Sequence, residues 1–434
     1  MRQPAVIFLG ERNSFMNRIK REDGQLLNIS CLGKPISDFK IIYDDGSDKG
    51  EYFVALDLRY HLYYDAGADV PALHQDAEEG EYEILIGETN RGGSSVKAGS
   101  YSIYVKGTKL YICSDCLNGY LEADRYLTGT LLPEADGKDI LVDGFEYTHE
   151  IEEKVPEKAG KFRMLLQNIW GVDWGNDSMA NRDRYAAAML LSYKPDLLFV
   201  NEYWTPMRVI GRFQESIERN GYTEVVPENW TKPNVLPIFY KTGEWRQLEC
   251  RIYDLRGEDE SKTITLAVLE HIASGRMVTC CVTHLEASWN CSYDVGNIRR
   301  INDVRLLEPI LKEFLSRYPN APFLFGADCN CTVGSTPFNK LLSIGLIDAH
   351  DSTPISDDSN SCHAYPIYDE NLKYYVEPTP NWRGGNYKTG SIDHILYKGN
   401  LIPKVYRNVT GEFPAMYSDH FAVMFDFDVP EKGE

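Results

Sequence analysis

Residues Phe323 to Asn330 read F-L-F-G-A-D-C-N, and the rest of the chain is best understood from this stretch. The short apolar run is typical of a strand that is buried on both faces. Side chains two residues apart in a strand share a face, so Asp328 and Asn330 are expected to point into one cleft. A carboxylate beside an amide suits the oxygens of a phosphate. On this stretch alone, turn chemistry favours the simpler interpretation of a capped turn after a core strand.

Polar or acidic residues and histidines also follow other apolar runs that are predicted to be buried strands. These strand ends are Asn168, Asn201-Glu202, His284, Asp393-His394 and Asp419-His420. Each has an ordinary structural interpretation, as a turn former or as a paired polar group next to the core. With Asp328 and Asn330 these make six such strand ends in one domain, a number that is hard to produce by turn statistics. Because active sites collect at the strand ends on one edge of a sheet, together they predict a catalytic or metal site.

Composition places the chain among globular proteins of more than one domain. It has 434 residues, of which 43% are hydrophobic and 12% aromatic, so ordinary packing is expected. The formal net charge is −20, from 45 basic against 65 acidic residues. No long basic run could grip a phosphate backbone, which weakens a nucleic-acid-binding interpretation, although a local cleft can still be positive or metal-loaded.

Targeting and redox features predict a reduced, cytoplasmic protein. The N-terminus lacks the pattern of a signal peptide, and no window approaches a membrane span. A secreted form stays open if the N-terminus has been trimmed. The ten cysteines include the pairs Cys113/Cys116, Cys280/Cys281 and Cys329/Cys331. Their spacing favours buried, reduced thiols over a zinc site.

The chain is predicted to divide into five segments. A strand, a helix, a second strand, a hairpin and a second helix make a small α/β unit over residues 37–132. A stretch rich in Glu, Asp, Gly and Lys predicts a linker. A long helix with core-facing residues from Ile298 to Phe314 belongs to the larger domain. The expected ranges are 1–36 (N-terminal extension), 37–132 (accessory domain), 133–160 (linker), 161–428 (catalytic domain) and 429–434 (tail).

The first unit has a run, Tyr82 to Arg91, that reads Y-E-I-L-I-G-E-T-N-R and is followed by a tyrosine-rich hairpin. This run resembles the accessory N-terminal domain of glycoside hydrolases such as β-hexosaminidases and α-glucuronidases. The resemblance covers roughly residues 37–132. It implies a packing module without a catalytic role.

The second part, about residues 161–428, resembles the endonuclease/exonuclease/phosphatase superfamily. The matching segments occur in the family's order: Asn168, Glu202, Thr283-His284-Leu285, Gly326 to Asn330, Ser391 to His394 and Ser418-Asp419-His420. The chain departs from the pattern at Asn201, Ala327 and Cys329, none of which removes a catalytic side chain. The resemblance implies an α/β (α+β) fold, a four-layer deoxyribonuclease I-like sandwich of two mixed sheets flanked by helices, here preceded by the small α/β domain.

The resemblance also implies a metal-assisted hydrolysis of phosphoesters. His420 would be the general base, with its imidazole oriented by Asp393. Glu202, with Asn168 nearby, would hold Mg²⁺, with Mn²⁺ as the second candidate, and Asp419 would complete the metal or water network.

The remaining site residues have implied roles at the phosphate. Asp328 and Asn330 would position the water or the phosphate, and His284 would bind phosphate or assist the leaving group. His394 is expected to be structural. Four tryptophans flank these segments; Trp204 is assigned to core packing, Trp382 to a wall of the site, and Trp170 and Trp289 are left open between the two.

Substrate choice stays open, because this core is shared by several kinds of enzyme. The expected partner is a phosphoester, namely a nucleic acid, a phospholipid head group or a sugar phosphate. A phosphodiesterase or nuclease-like hydrolase is the preferred interpretation, and a sphingomyelinase-like enzyme or an inositol-phosphate phosphatase is the alternative. A different-class alternative is an inactive, carbohydrate-associated binding protein that works through the first domain.

Overall fold

The structure is a computed structural model, and the chain in it divides into two compact units, Met1–Lys154 and Val155–Glu434. Residues 1–24 of the expected N-terminal extension, residues 431–434 of the expected tail, Trp289 and Trp382 lie outside the described residues. The structure describes residues 25–44, 46, 49–93, 96–152, 154–171, 179–210, 212–255, 262–287, 291–363, 366–369, 374–378, 385–410 and 417–430.

The first unit consists of eight described strands and three described α-helices. The strands are β1 (Ser30–Cys31), β2 (Lys34–Pro35), β3 (Lys40–Tyr43), β4 (Ala72–His74), β5 (Glu83–Ile86), β6 (Ser100–Lys106), β7 (Lys109–Ser114) and β8 (Glu146–Glu150). The helices are α1 (Glu51–Ala66), α2 (Leu117–Tyr126) and α3 (Leu132–Glu134), with a 3-10 turn at Ile36–Asp38 and a π-helical turn at Leu127–Leu131.

Six strands of this unit form one mixed sheet in the order β4-β3-β5-β7-β6-β8. Strands β3, β4, β5 and β7 are parallel, whereas β6 and β8 run antiparallel to their neighbours. Helix α1 ends at Gly67, where a left-handed φ of +64° lets the backbone N–H bond to Leu62 O. The small α/β unit expected from the sequence is therefore present.

Part of the segment expected to be a linker is a strand of this sheet. Strand β8 pairs with β6 from Ser100↔Glu150 to Tyr104↔Glu146. Its sequence, E-Y-T-H-E, is mostly exposed and polar, as is common in edge strands. It therefore lacks the apolar alternation by which a strand is recognised in a sequence.

The second unit contains fifteen described strands and seven described helices. The strands are β9 (Phe162–Asn168), β10 (Leu197–Asn201), β11 (Tyr222–Glu224), β12 (Ile238–Lys241), β13 (Trp245–Asp254), β14 (Thr263–His271), β15 (Arg276–His284), β16 (Phe323–Asp328), β17 (Ile347–Asp348), β18 (Ile355–Ser356), β19 (Pro366–Asp369), β20 (Tyr374–Pro378), β21 (Asp393–Lys398), β22 (Ile402–Asn408) and β23 (Val423–Asp428). The helices are α4 (Met179–Ser192), α5 (Thr205–Ile210), α6 (Phe213–Arg219), α7 (Tyr293–Arg317), α8 (Thr336–Ser343), α9 (Ala349–Ser352) and α10 (Tyr387–Gly390).

Two mixed sheets make up the body of this unit. The first has the order β11-β12-β10-β9-β23-β22-β18, and the second has the order β13-β14-β15-β16-β21-β17. In the first sheet β9 and β10 are parallel, and in the second β15 and β16 are parallel. Strand β23 is antiparallel to β9, and β21 is antiparallel to β16. Strands β19 and β20 form a separate hairpin.

The main core lies between the two sheets. Met164 and Leu166 of β9 and Phe199 of β10 pack there against Val282 of β15 and Leu324 of β16. Alternate residues point to the opposite faces, as expected for strands covered on both sides.

A second core lies between the second sheet and the helices α7 and α8. Cys281 and Phe325 of the sheet belong to it, together with Val304, Leu307 and Phe338 of the two helices. Cys280 and Cys281 therefore face different cores, as predicted for neighbours in a strand.

Helix α7 is correctly predicted as core-facing over most of its length, but Ile298 is an exception. This side chain is 60% exposed, because it lies near the beginning of the helix and away from the buried residues Arg300 and Val304. Helical spacing predicts a common face and does not show how far along the helix that face is covered.

At Gly326, β16 lies close to the facing sheet. A Cβ atom at this position would lie 2.9 Å from both Met164 Cε and Phe199 Cδ2, and 3.2 Å from Leu166 Cδ1. A side chain would therefore push the sheets apart next to Asp328. The predicted strand is confirmed, with all six residues buried from Phe323 to Asp328.

The predicted fold class is confirmed by these layers: two mixed sheets flanked by helices, with a small α/β unit before them. Among the residues described, no helix combines the length and the apolar character needed to cross a bilayer.

The boundary of the second unit can be tested with two fragments. Arg163 Nη1 donates to Pro156 O at 3.0 Å, Arg163 Nη2 donates to Glu157 O at 3.0 Å, and Lys158 Nζ lies 2.6 Å from Asp196 Oδ2. We propose that residues 155–434 fold alone, and that a fragment of 161–434 is less stable by about 1–3 kcal/mol, because buried polar groups lose their partners.

Urea denaturation followed by circular dichroism would measure both free energies of unfolding. A single cooperative transition is expected for the longer fragment. Aggregation of this fragment, or equal stability of the two, would contradict the proposed boundary.

Candidate active site

All eight predicted site residues come to one edge of the two sheets. The carboxyl ends of parallel strands meet at the same edge, which brings the ends of β9 and β10 together, and likewise the ends of β15 and β16. Strands β21 and β23 run the other way, so their beginnings lie at this edge; Asp393 pairs directly with Asp328. The residues gathered here are Asn168, Glu202, His284, Asp328, Asn330, Asp393, Asp419 and His420.

Asn168 joins two carboxylates that belong to different sheets. Its Nδ2 donates to Glu202 Oε1 and to Asp328 Oδ2, each at 3.0 Å. Its Oδ1 accepts from Trp170 N at 3.0 Å. All three contacts agree with one orientation of the amide, in which the nitrogen faces the carboxylates. In this orientation Asn168 Nδ2 orients the two carboxylates, and the ligand role implied by the sequence resemblance stays a prediction.

Glu202 follows β10 directly and has a left-handed φ of +59°. Burial raises the pKa of its carboxyl group to about 7, and the negative charges of Asp419 and Asp328 act in the same direction, while the bond from Asn168 opposes them. The carboxyl groups of Glu202, Asp328 and Asp419 therefore lie close together in a buried site.

Asp328 is almost fully buried and is held on both oxygens. Oδ1 accepts from Asn330 N at 2.8 Å, and Oδ2 lies 3.4 Å from His284 Nε2. Burial raises the pKa of Asp328, but the charges of His284 and His420 and the donated hydrogen bonds outweigh it, so the pKa is lowered. Asp328 therefore ionises more readily than Glu202 and Asp393, whose pKa values are raised.

Asn330 reaches the site in a way that the sequence does not show. Strand β16 ends at Asp328, and Asn330 lies beyond it with a left-handed φ of +49°. Its Nδ2 lies 3.0 Å from His284 Nε2 and donates to Leu285 O at 3.1 Å. Asp328 and Asn330 both reach the site because the chain turns after Asp328. They do not share a face of one strand by alternation.

His420 and Asp393 form a buried pair. His420 Nδ1 lies 2.7 Å from Asp393 Oδ2, and both residues are at most 5% exposed. Burial lowers the pKa of His420, but the charge of Asp393 outweighs it and holds the pKa well above its usual value. Burial raises the pKa of Asp393 to about 6 in spite of His420.

Ser361 is a polar partner of this pair that sequence reasoning misses. Its Oγ donates to Asp393 Oδ2 at 2.7 Å, and it accepts from Ile392 N and Asp393 N at 3.1 and 3.0 Å. The hydroxyl thus fixes the oxygen that also binds His420. Ser361 follows no strand pattern, so nothing in the sequence points to it.

Asn201 and Gln167 also support the site from within buried strands. Asn201 accepts from Asp328 N at 3.0 Å and donates to Thr283 O at 2.9 Å, which ties the two sheets together. Gln167 Nε2 donates to His420 O at 3.0 Å. A fully buried amide in an apolar strand is the signal that could have identified both.

Asp419 lies shortly before β23, next to His420. Its Oδ2 is 3.9 Å from His420 Nε2, and its side chain is 10% exposed. Ser418 Oγ donates to Asn168 O at 2.6 Å and accepts from His420 N at 3.1 Å. Residues 417–420 are therefore fixed against the end of β9.

His394 has the structural role that was expected. Its Nε2 donates to Cys331 O at 2.9 Å, and its Nδ1 lies 3.3 Å from Tyr387 Oη. Burial lowers the pKa of His394 to about 4, so the ring is neutral at physiological pH. Trp204 packs against the main core, as predicted.

The donor set fits a divalent cation. One ligand atom from each of Glu202, His284 and Asp328 lies within 4.8 Å of the others, and Asp328, Asp393 and His420 form a second such group. Burial and the negative charges of Asp419 and Asp328 raise the pKa of Glu202, and a bound cation would offset these effects. Carboxylate oxygens are the ligands that Mg²⁺ prefers.

No protein-family model matches the sequence, and no curated protein matches it. Similar solved structures include an endonuclease/exonuclease/phosphatase family protein from Bacteroides thetaiotaomicron, with a TM-score of 0.47 and 16% identity over 61% of this chain and 97% of that chain. A mannosyl-6-phosphatase from the same organism has a TM-score of 0.47 and 16% identity over 62% of this chain and 100% of its own. The human Nocturnin catalytic domain with bound sulfate has a TM-score of 0.44 and 17% identity over 62% of this chain and 94% of its own.

The first of these structures is described as an endonuclease/exonuclease/phosphatase family protein, which is the family that the sequence motifs resemble. The resemblance of the first unit to an accessory domain of glycoside hydrolases stays a prediction.

The negative charge of Glu202 should lower the free energy of unfolding. A carboxyl group whose pKa is raised by folding favours the folded state at low pH and disfavours it as pH rises toward about 7. Glu202→Gln is therefore expected to raise the free energy of unfolding at pH 8, without divalent cations, by up to about 3 kcal/mol. The gain should shrink as the pH is lowered to 5.5.

Urea denaturation at the two pH values measures this effect. Glu249→Gln is the matched control, because Glu249 accepts from Arg317 Nη1 at 2.8 Å and its pKa is lowered; that substitution should destabilise the fold. A destabilising or pH-independent effect of Glu202→Gln would contradict the proposed repulsion.

Proposed function

We propose that this chain hydrolyses phosphoesters with the help of a divalent cation, and that His420 activates the attacking water. The observation that carries the proposal is the buried His420–Asp393 pair, which lies at the same edge as the carboxylates of Glu202 and Asp328. Hydrolysis of a phosphoester needs a positioned base and charge neutralisation at the phosphate.

His420 is the group best placed to take a proton from water. Asp393 occupies its Nδ1, so Nε2 is the nitrogen that faces the carboxylates, at 3.9 Å from Asp328 Oδ2 and from Asp419 Oδ2. The water oxygen attacks phosphorus, its proton moves to Nε2, and Asp393 stabilises the imidazolium that forms.

Glu202 and Asp328 are the residues proposed to hold the cation, with Asp419 close by and Asn168 orienting the two carboxylates. When bound, the cation neutralises charge on the phosphate. Oxygen donors favour Mg²⁺, with Mn²⁺ as the second candidate.

His284 and Asn330 are proposed to bind the phosphate and the leaving oxygen. Both lie next to Asp328, and the Asn330 amide joins the turn after β16 to the end of β15. An imidazole and an amide can both donate to phosphate oxygens. As the ester bond breaks, the departing oxygen takes a proton from His284 or from solvent.

An activity screen with the full chain tests the proposal. In Mg²⁺ the chain is expected to cleave the diester bis(p-nitrophenyl) phosphate, and EDTA or His420→Ala should reduce turnover by about a hundredfold or more. DNA, RNA, a phospholipid and an inositol phosphate are tested alongside the monoester p-nitrophenyl phosphate. Cleavage of monoesters alone would favour a phosphatase, and no cleavage of any phosphoester would overturn the proposal.

The pH dependence tests the pairing of His420 with Asp393. The neutral imidazole is the active form, so kcat/KM should fall as pH drops below the raised pKa of His420. Asp393→Asn removes the charge that raises this pKa. The acidic limb should therefore move to lower pH, while kcat falls by about a hundredfold and KM changes little.

Asp426→Asn is the matched control for this variant. Asp426 is also a buried carboxylate paired with a cation, since its Oδ1 lies 2.6 Å from Arg163 Nε, but it lies at the far end of β23. Loss of the Asp426 charge should lower the free energy of unfolding without changing the pH dependence of kcat/KM. Near-normal turnover and an unchanged profile in Asp393→Asn would show that the pair is assigned wrongly.

A further inference from the structure

Two short segments carry Asn168, Asp419 and His420 to the site. Residues 168–171 begin with the last residue of β9, and residues 417–420 precede β23, the antiparallel neighbour of β9. The first segment contains Asn168, which orients both carboxylates, and the second contains Asp419 and His420. The relative position of the two segments therefore sets the distance between the base and the carboxylates.

Arg182 of α4 binds both segments from behind the site. It is 2% exposed, and its Nη1 donates to Tyr417 O at 2.6 Å and to Ile169 O at 3.3 Å. Its Nη2 donates to Trp170 O at 2.8 Å. The guanidinium carbon also lies 4.5 Å from the centroid of the Trp170 ring. One planar cation thus holds carbonyl groups from two separate parts of the chain.

The contact with residues 168–171 affects the carboxylates through Asn168. Trp170 has a left-handed φ of +46°, and its N–H donates to Asn168 Oδ1. That bond fixes the amide orientation in which Nδ2 reaches Glu202 and Asp328. The same segment is packed on the backbone after β10, since Gly171 N donates to Glu202 O at 2.9 Å.

We propose that Arg182 is a positioning residue of the site: it holds the turn at Trp170 and the segment before His420, so that base and carboxylates keep their spacing. The expected effect of Arg182 on turnover rests on the proposed function. The expected effect of Arg182 on metal binding requires only that the site binds a cation. Arg182 itself touches neither the proposed base nor the carboxylates in the contacts described above.

Arg182→Lys and Arg182→Ala test this inference in the full chain. Lysine keeps the charge but lacks the planar fork, so it cannot bind all three carbonyl groups. For both variants kcat is expected to fall by about tenfold to a hundredfold, with KM changed by less than about threefold, because a misplacement of about 1 Å is costly in a preorganised site. Millimolar guanidinium chloride should restore part of the kcat of Arg182→Ala and none of that of Arg182→Lys.

Arg163→Lys is the matched control. Arg163 is also buried and also donates to backbone carbonyl groups, including Tyr193 O at 2.9 Å, but it lies at the opposite end of β9. The Arg163→Lys variant should have a lower free energy of unfolding than the wild type and the same kcat per folded molecule. Equal losses of kcat in Arg163→Lys and Arg182→Lys at equal stability, or a lack of rescue by guanidinium, would overturn the positioning role.

Titration with Mn²⁺ by calorimetry separates this inference from the proposed function. Arg182→Lys is expected to weaken Mn²⁺ binding by about tenfold, because Glu202 and Asp328 lose their fixed orientation, whereas Arg163→Lys should bind as the wild type does. This difference is expected even if the wild type cleaves no phosphoester, in which case the proposed function alone fails. Unchanged Mn²⁺ affinity in Arg182→Lys would overturn the inference.

Discussion

One side-chain amide connects the two halves of the sandwich at its functional edge. Asn168 belongs to the first sheet, and it donates to Glu202 of the same sheet and to Asp328 of the other, each at 3.0 Å. Two carboxylates at this distance from one donor repel each other, and the shared amide offsets part of that repulsion. The spacing of the site thus depends on the spacing of the sheets, which the missing side chain of Gly326 allows.

The electrostatics of the site divide its acids into groups with different tasks. Asp328 has a lowered pKa because the charges of His284 and His420 and several donors outweigh its burial, whereas burial and two neighbouring acids raise the pKa of Glu202 to about 7. Asp393 pairs with His420, the proposed base, and accepts a hydrogen bond from Ser361. Opposite shifts among adjacent carboxyl groups are typical of sites that hold a cation beside a proton acceptor.

Much of the fold could be predicted from the sequence, and so could the polar residues that the structure brings together at one edge of the sheets. Buried strands have apolar runs, and the polar residues that end them are visible in order, so Phe323 to Asp328 and the other strand ends were found. The edge strand β8 was missed because it has no apolar face. Supporting residues such as Ser361 and Arg182 were also missed, because their roles depend on contacts between segments far apart in the chain.

Local backbone geometry accounts for the other differences between the sequence predictions and the structure. A strand pattern places Asp328 and Asn330 on one face by alternation, yet the chain turns after Asp328 and Asn330 reaches the site through a left-handed backbone. The amide orientation of Asn168 is set by the N–H of Trp170, which no spacing rule encodes. Side-chain identity predicts which groups are present, and backbone conformation decides which atom each presents.

Of the five non-glycine residues with positive φ in the described chain, three border the site: Trp170, Glu202 and Asn330. Such a conformation costs a residue with a side chain about 1 kcal/mol or more, and glycine adopts it freely. Engineering for heat resistance would therefore favour glycine at Glu202, where it relieves backbone strain and removes a mostly buried charge, whereas at Trp170 the loss of the buried ring would cost more than the strain relieved. A variant evolved only for thermal endurance would lose function at this edge while its cores stayed intact, and screens for stabilised forms of this protein need selection for turnover as well.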